Sequence, residues 1–443
     1  MEPLKPAAEE VLNRASASAI ANALSRLGGY FQQKEWLDPS NPYRRNAADR
    51  VNELCKSGNG PFTDDQLVEC IAASSVLHLF EGWSYLSQAV GAAVRGDVGI
   101  VRHLSYYAEL RASIALLASQ GVGVFKKKHV VVNDGGQLET VVSSNAGTHE
   151  MAWLALQHWG RKQESGQLIC KGIRAFGYSL GDWVDTFQGA TTNRITGAEW
   201  TAQWGFDLKQ FVEDQETRNE VSYRANFNFE TRRLAPVELT EWISDLWQLS
   251  NPLATSFELL DQYLVRSALK RSFNTKFQAD AEESYEARIS SACRALKVAT
   301  SNPTEFFCGR VKPNDPLLLV FASKTSSVYD DLQYMEVISR AYLLLRLATA
   351  CVIEPLKKAN ISKDDFSFWW QHIGNETGLW PRNNPPDDPI DLWYDVEVSL
   401  EAIASWKNEQ SSDVLCWKSF HQHLAADIDV ATRLERAAIW GVA

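Results

Sequence analysis

"HLSYYAELRASIALLASQGVGVFKKKH", residues 103–129, carries an arginine on what reads as the apolar face of a helix. At about 100° per residue, Arg111 falls in one arc with Leu104, Tyr107, Ile114, Ala115 and Ala118, and Glu109 and Ser113 fall opposite. Positions three and four residues away hold Tyr107, Ala108, Ile114 and Ala115, so the helix itself offers no acid. An unpaired guanidinium in a core costs too much to persist. Its partner is therefore expected from another segment or from a bound anion.

Outward from this stretch the chain reads as helix after helix. Apolar positions recur at i, i+3, i+4 near 6–27, 64–96, 98–120, 148–162, 208–226, 237–249, 254–272, 280–300, 328–358, 391–407 and 413–438. Thr63-Asp64-Asp65 and Pro236-Val237-Glu238 supply helix starts. The exception is "KHVVVNDGGQLETVV" (128–142), where β-branched runs flank Asn133-Asp134-Gly135-Gly136 and predict a β-hairpin at 129–142. "DPLLLVFAS" (315–323) is a second extended candidate. The fold expected is mainly α, one or more multi-helix bundles with that small hairpin. A loose division falls into an N-terminal helical region, 1–165, and a larger one, 166–443, unless the two form one body.

Composition fits an ordinary packed protein: 443 residues, 45% hydrophobic, 22% charged, net charge −11. That balance argues against a wholesale nucleic-acid or anionic-membrane coat but leaves room for a local basic patch. Sixteen tryptophans must mostly be buried, each N–H seeking an acceptor. Seven scattered cysteines (55, 70, 170, 293, 308, 351, 416) match neither a disulfide framework nor a zinc site, and read as reduced thiols in a cytoplasmic protein. The start shows no apolar leader, and the longest apolar run, 341–353, is broken by Arg346. No membrane association is expected.

Familiar catalytic patterns fail one by one. "HEMAW" (149–153) has tryptophan where a zinc-protease helix needs its second histidine. "GDVGIVR" (96–102) lacks the lysine and hydroxyl of a phosphate loop, and neither a dinucleotide fingerprint nor a nucleophile elbow is present. Asp182 and Asp185 read as a helix cap or a solvated face rather than metal ligands. No cofactor or metal site is expected. "SFWWQHIGNETGLWP" (367–381) reads as indole packing, with base stacking as the sharper alternative.

The stretch Tyr106, Tyr107, Ala108, Arg111, Ala112, Leu116, Leu117, Gly121, Lys128, His129 resembles the HEPN superfamily, with 77–97 as its antiparallel helix and Gly96-Asp97 as the turn. The resemblance covers residues 77–129. Nuclease members carry an arginine followed, after four to six residues, by a histidine, and pair two such sets in a dimer. Here none of His78, His103, His129, His149, His158, His372, His421 or His423 has an arginine at that spacing; Arg95 precedes His103 by one residue too many. The resemblance thus implies a non-nuclease or degenerate member. Such members bind protein partners or nucleic acid in antiphage and toxin–antitoxin systems.

The expected function is a non-catalytic or partner-dependent binding component of a prokaryotic defence or stress system. Its partner is a protein, including a second copy, or RNA or another phosphate-bearing ligand. A ribonuclease with a non-standard site and a purely structural scaffold remain alternatives. The candidate binding residues are Tyr107, Arg111, Lys126, Lys127, Lys128 and His129, joined by Arg218, Asn219, Tyr223 and Arg224 on a polar helix where Asp214 is placed to pair with Arg218.

Overall fold

Helices supply nearly all the regular structure in the computed structural model, which describes residues 3–55, 60–142, 146–189, 195–223, 234–253, 256–276, 284–299, 301–323, 332–409 and 417–442. First come α1 (Pro6–Asn13), α2 (Ala17–Phe31), α3 (Tyr43–Leu54), α4 (Asp65–Arg95) and α5 (Val98–Ser119). Three strands follow, β1 (Val122–Val124), β2 (His129–Val132) and β3 (Leu138–Thr140), then α6 (Thr148–Gly160) and α7 (Gln163–Gly172). A short ribbon, β4 (Arg174–Ala175) with β5 (Tyr178–Ser179), leads into α8 (Leu180–Gln188), α9 (Gly197–Gln203) and α10 (Gln210–Tyr223). The remainder is α11 (Pro236–Ser250), α12 (Glu258–Lys276), α13 (Tyr285–Ala295), α14 (Ser301–Phe307) and α15 (Leu317–Ser323). Last come α16 (Gln333–Lys358), α17 (Ser367–Thr377), α18 (Leu392–Glu409), α19 (Trp417–Thr432) and α20 (Glu435–Val442).

Caps place the central hairpin where the sequence signals put it. The Asp64 carboxylate accepts from the Leu67 N–H at 3.0 Å and starts α4. Gly96, left-handed at φ +74°, ends it, and Asp97 accepts from the Ile100 N–H at 3.2 Å to start α5. α16 packs against both arms. The three helices meet at Gly82, where a Cβ would lie 2.7 Å from Leu345 Cδ2 and 3.4 Å from the Ala108 carbonyl oxygen. Beside it Trp83 is buried, its indole N–H donating to Thr349 at 3.3 Å.

Elsewhere the sequence reading is corrected in detail. The helix expected over 6–27 is two, because Ser16 caps a new start by accepting from the Ala19 N–H at 3.2 Å. Residues 317–323 form α15 rather than a strand; the short apolar run fits either, and Pro316 immediately precedes its first turn. The hairpin at 129–142 exists with Val131 opposite Glu139, but β1 adds a third antiparallel strand. Both faces of β2 are covered, so alternation does not appear there: His129 to Val132 are all buried. The boundary expected at 165 falls inside α7, and one hydrophobic core continues across it. Among the described residues no helix is long and apolar enough to cross a membrane.

Candidate functional site

The helical wheel places Arg111 wrongly. Glu109 and Ser113, expected outside, are fully buried, while the Arg111 side chain is 28% exposed. The reason is that α5 has neighbours on several sides: α4, α6, α10 and α16 all pack on it, so the polar arc of the wheel does not find water. Ser113 donates to the Ala152 carbonyl of α6 at 3.3 Å.

Arg111 does have partners from another segment, as its charge requires. Its Nε lies 3.1 Å from Glu81 Oε2, and its Nη1 lies 3.0 Å from His78 Nδ1. His78 Nδ1 is also 3.1 Å from the same Glu81 oxygen. A neutral ring can accept there from Arg111; a protonated ring donates to Glu81 instead. Burial pushes the Glu81 carboxyl up, but the His78 hydrogen bond and the Arg111 charge outweigh it, and the net shift is downward. One turn back, Tyr107 stacks on Tyr85 with ring centres 5.4 Å apart and meets the His103 ring at 5.0 Å. The structure therefore joins Tyr107 and Arg111 to His78, Glu81, Tyr85 and His103, residues that a linear motif search does not assemble.

The other candidates separate. Lys126 and Lys127 are exposed and Lys128 half-buried in the β1–β2 turn, beyond the end of α5 and about 12 Å of helix from Arg111. His129 is fully buried, its Nδ1 accepting from the Phe125 N–H at 3.2 Å and its Nε2 donating to the Ala146 carbonyl at 3.0 Å. Burial pulls its pKa down, and both ring nitrogens are engaged within the fold, so the neutral ring latches the turn. Asn219 is half-buried on α10. The side chains of Arg218 and Tyr223, and Arg224 altogether, lie outside the described residues. Asp214 gives both oxygens to Arg340 Nη2, at 2.7 and 2.8 Å. In the tryptophan-rich segment Trp370 packs edge-on against Trp380, whose indole N–H donates to Asn375 at 3.0 Å; this is packing.

That Arg340 belongs to a buried charge cluster with no local sequence signature. Glu336 lies 3.6 Å from Arg340 Nη1 and Glu109 4.0 Å from its Nε. Burial, then the neighbouring Asp214 charge, push the Glu109 carboxyl well above the ordinary glutamate range, although Arg340 opposes this.

A cleft rich in charged side chains lies elsewhere, where the β4 end of α7, the start of α12 and the C-terminal half of α16 come together. It is a cleft of about 610 Å³. Five cations line it: Lys171, Arg174, Arg346, Lys357 and Lys358. Its carboxylates are Asp261 and Glu354. Arg346 is 5% exposed and grips Asp261 with Nε at 3.0 Å and Nη2 at 2.6 Å, Nη2 also donating to the Gly172 carbonyl at 2.9 Å. Its Nη1 makes no hydrogen bond to any described residue. Burial raises the Asp261 carboxyl, opposed by Arg346 and by the Arg174 N–H at 2.8 Å. Under the guanidinium, 5.2 Å from the ring centre, Phe257 holds a left-handed backbone at φ +67°. A non-glycine residue there stores about 1–3 kcal/mol, and such strain concentrates at functional sites.

The cations come from two distant parts of the chain, 171–174 and 346–358, so no local motif announces the cleft. Lys357-Lys358 and the apolar run broken by Arg346 are its only legible traces. Set against known proteins, the chain matches no family model, no curated protein and no solved structure.

Proposed function

We propose that this protein is a non-catalytic binding component whose ligand carries phosphate, received in the cleft floored by Arg346. One observation carries the reading: a chain of net charge −11 lines one cleft with five cations against two carboxylates. Asp261 holds Arg346 in a fixed orientation, so little side-chain freedom is lost when its remaining edge meets an anion. The HEPN-like hairpin supplies the setting, a partner-dependent member of an antiphage or toxin–antitoxin type system. Titration with pyrophosphate at low salt tests the binding. Melting should rise, by the equivalent of about 2.7 kcal/mol when the ligand is a hundredfold above its Kd. Lys357→Glu with Lys358→Glu, both exposed, should abolish the rise without altering the unliganded melt. No rise in the unaltered protein overturns the reading.

A second reading is favoured by the Glu81–His78–Arg111 contact, in which an acid orients an imidazole beside a guanidinium. That trio has the ingredients of metal-independent RNA cleavage, with His78 as general base and Arg111 beside the phosphate. RNA cleavage in the presence of a chelator, lost in His78→Ala, supports it. Intact RNA after prolonged incubation removes it.

A further inference from the structure

The anion cleft does not end at its cations. A second cavity of about 510 Å³ adjoins it, and Ser256, Ile353, Lys357 and Gly441 line both, so one trough runs past Lys357. The chemistry changes across that junction. Beyond it the wall is Pro252, Leu356, Ile361, Ile390, Trp440 and Val442, with Asp388 the one carboxylate and Lys357 the one cation.

Resting on the phosphate reading above, we infer that the trough takes a phosphate monoester with an apolar or aromatic body, its phosphate at Arg346 and its body against Ile361, Ile390 and Trp440. The charge count favours this headgroup over a simple carboxylate. Five cations facing two carboxylates leave three positive charges, which suit the dianion of a phosphate monoester. The neighbouring wall gains nothing from inorganic phosphate, which has no surface to bury there. Each methylene placed on that wall adds burial, and a nucleobase adds a flat apolar face beside the Trp440 indole. Cavities of these sizes each fall within the range that holds small ligands. The left-handed Phe257 stands at the junction: its ring underlies the Arg346 guanidinium, and Gly441, shared by both cavities, packs closely on it (an added Cβ would lie 3.1 Å from the ring).

The experiment is a calorimetric titration of the full chain with inorganic phosphate, ribose 5-phosphate, AMP and geranyl phosphate. AMP or geranyl phosphate should bind at least tenfold more tightly than inorganic phosphate, and whichever wins distinguishes a nucleobase from an aliphatic body. Ile390→Asp should reduce that advantage several-fold while leaving the affinity for inorganic phosphate unchanged. Ile361→Asn, on the same wall, serves as the second variant should Ile390→Asp fail to fold. Binding of all four probes with equal affinity overturns the two-part trough and leaves the phosphate reading standing. Binding of none overturns both.

Discussion

Arg340 should be the most consequential single charge in the fold. Its Nη2 holds both Asp214 oxygens, and Glu336 and Glu109 flank its other nitrogens, all inside the packing of α5, α10 and α16. Replacing it with methionine keeps the length and much of the volume but removes the cation that holds both Asp214 oxygens. Breaking a buried pair from one side costs about 3–5 kcal/mol. The reverse change should be milder. With Asp214→Asn, the Glu109 carboxyl loses the neighbouring charge that, after burial, does most to raise it, and it can ionise more readily toward Arg340 in compensation. Urea denaturation at neutral pH reads both costs from the midpoint at fixed slope. The expected order is Arg340→Met well above Asp214→Asn, with the double variant below their sum. Equal costs, or a cost for Arg340→Met below about 1 kcal/mol, would refute the picture of one cation shared by a committed and a reserve carboxylate.

Three further outcomes follow from the same geometry. Because the folded state holds the Glu109 proton more tightly than the unfolded chain does, stability is full below the ordinary glutamate pKa and is lost as pH rises toward the folded value; Glu109→Gln should therefore gain on the unaltered protein from about pH 4.5 to neutral, and parallel stability curves would contradict it. Arg111→Met should cost under about 1 kcal/mol in thermal melts, since its Glu81 partner is 51% exposed and surface pairs contribute little; a loss of several kcal/mol would show a buried role. His129→Ala removes a buried ring and strands the Phe125 N–H and Ala146 carbonyl, so it should cost about 2–4 kcal/mol while leaving pyrophosphate affinity unchanged.

The hairpin was legible because its signals are local. Asp64, Gly96 and Asp97 each act within a turn of their own position, and Asn133 closes its loop by accepting from the Gly135 and Gln137 N–H groups at 3.0 Å. The helices left unread, α3, α7, α9 and α14, are 7–12 residues long, short for a periodic pattern to register. Burial direction failed for a different reason. A wheel orients a helix with one wet side, and α5, closed in by four neighbours, offers no such side along most of its length.

Three arginines in similar apolar surroundings make the limit concrete. "RASIALLA" (111–118) and "RAYLLLRLA" (340–348) look alike, and the two helices that carry them pack together. Yet Arg111 reaches a half-exposed Glu81, Arg340 is sealed among carboxylates, and Arg346 is clamped by Asp261 at the edge of a cleft. Glu81 lies 30 positions before Arg111, Asp214 lies 126 before Arg340, and Asp261 lies 85 before Arg346. What each guanidinium can do is set by which acid the fold delivers and how much of the fork that acid occupies. Asp261 takes two of the three Arg346 nitrogens and leaves the third without a hydrogen-bond partner among the described residues, in the company of four more cations. Arg340 has no comparable opening, because three carboxylates surround it. An anion therefore has a reason to enter at Arg346 and is repelled at Arg340, although the sequence writes the two residues six positions apart on one helix.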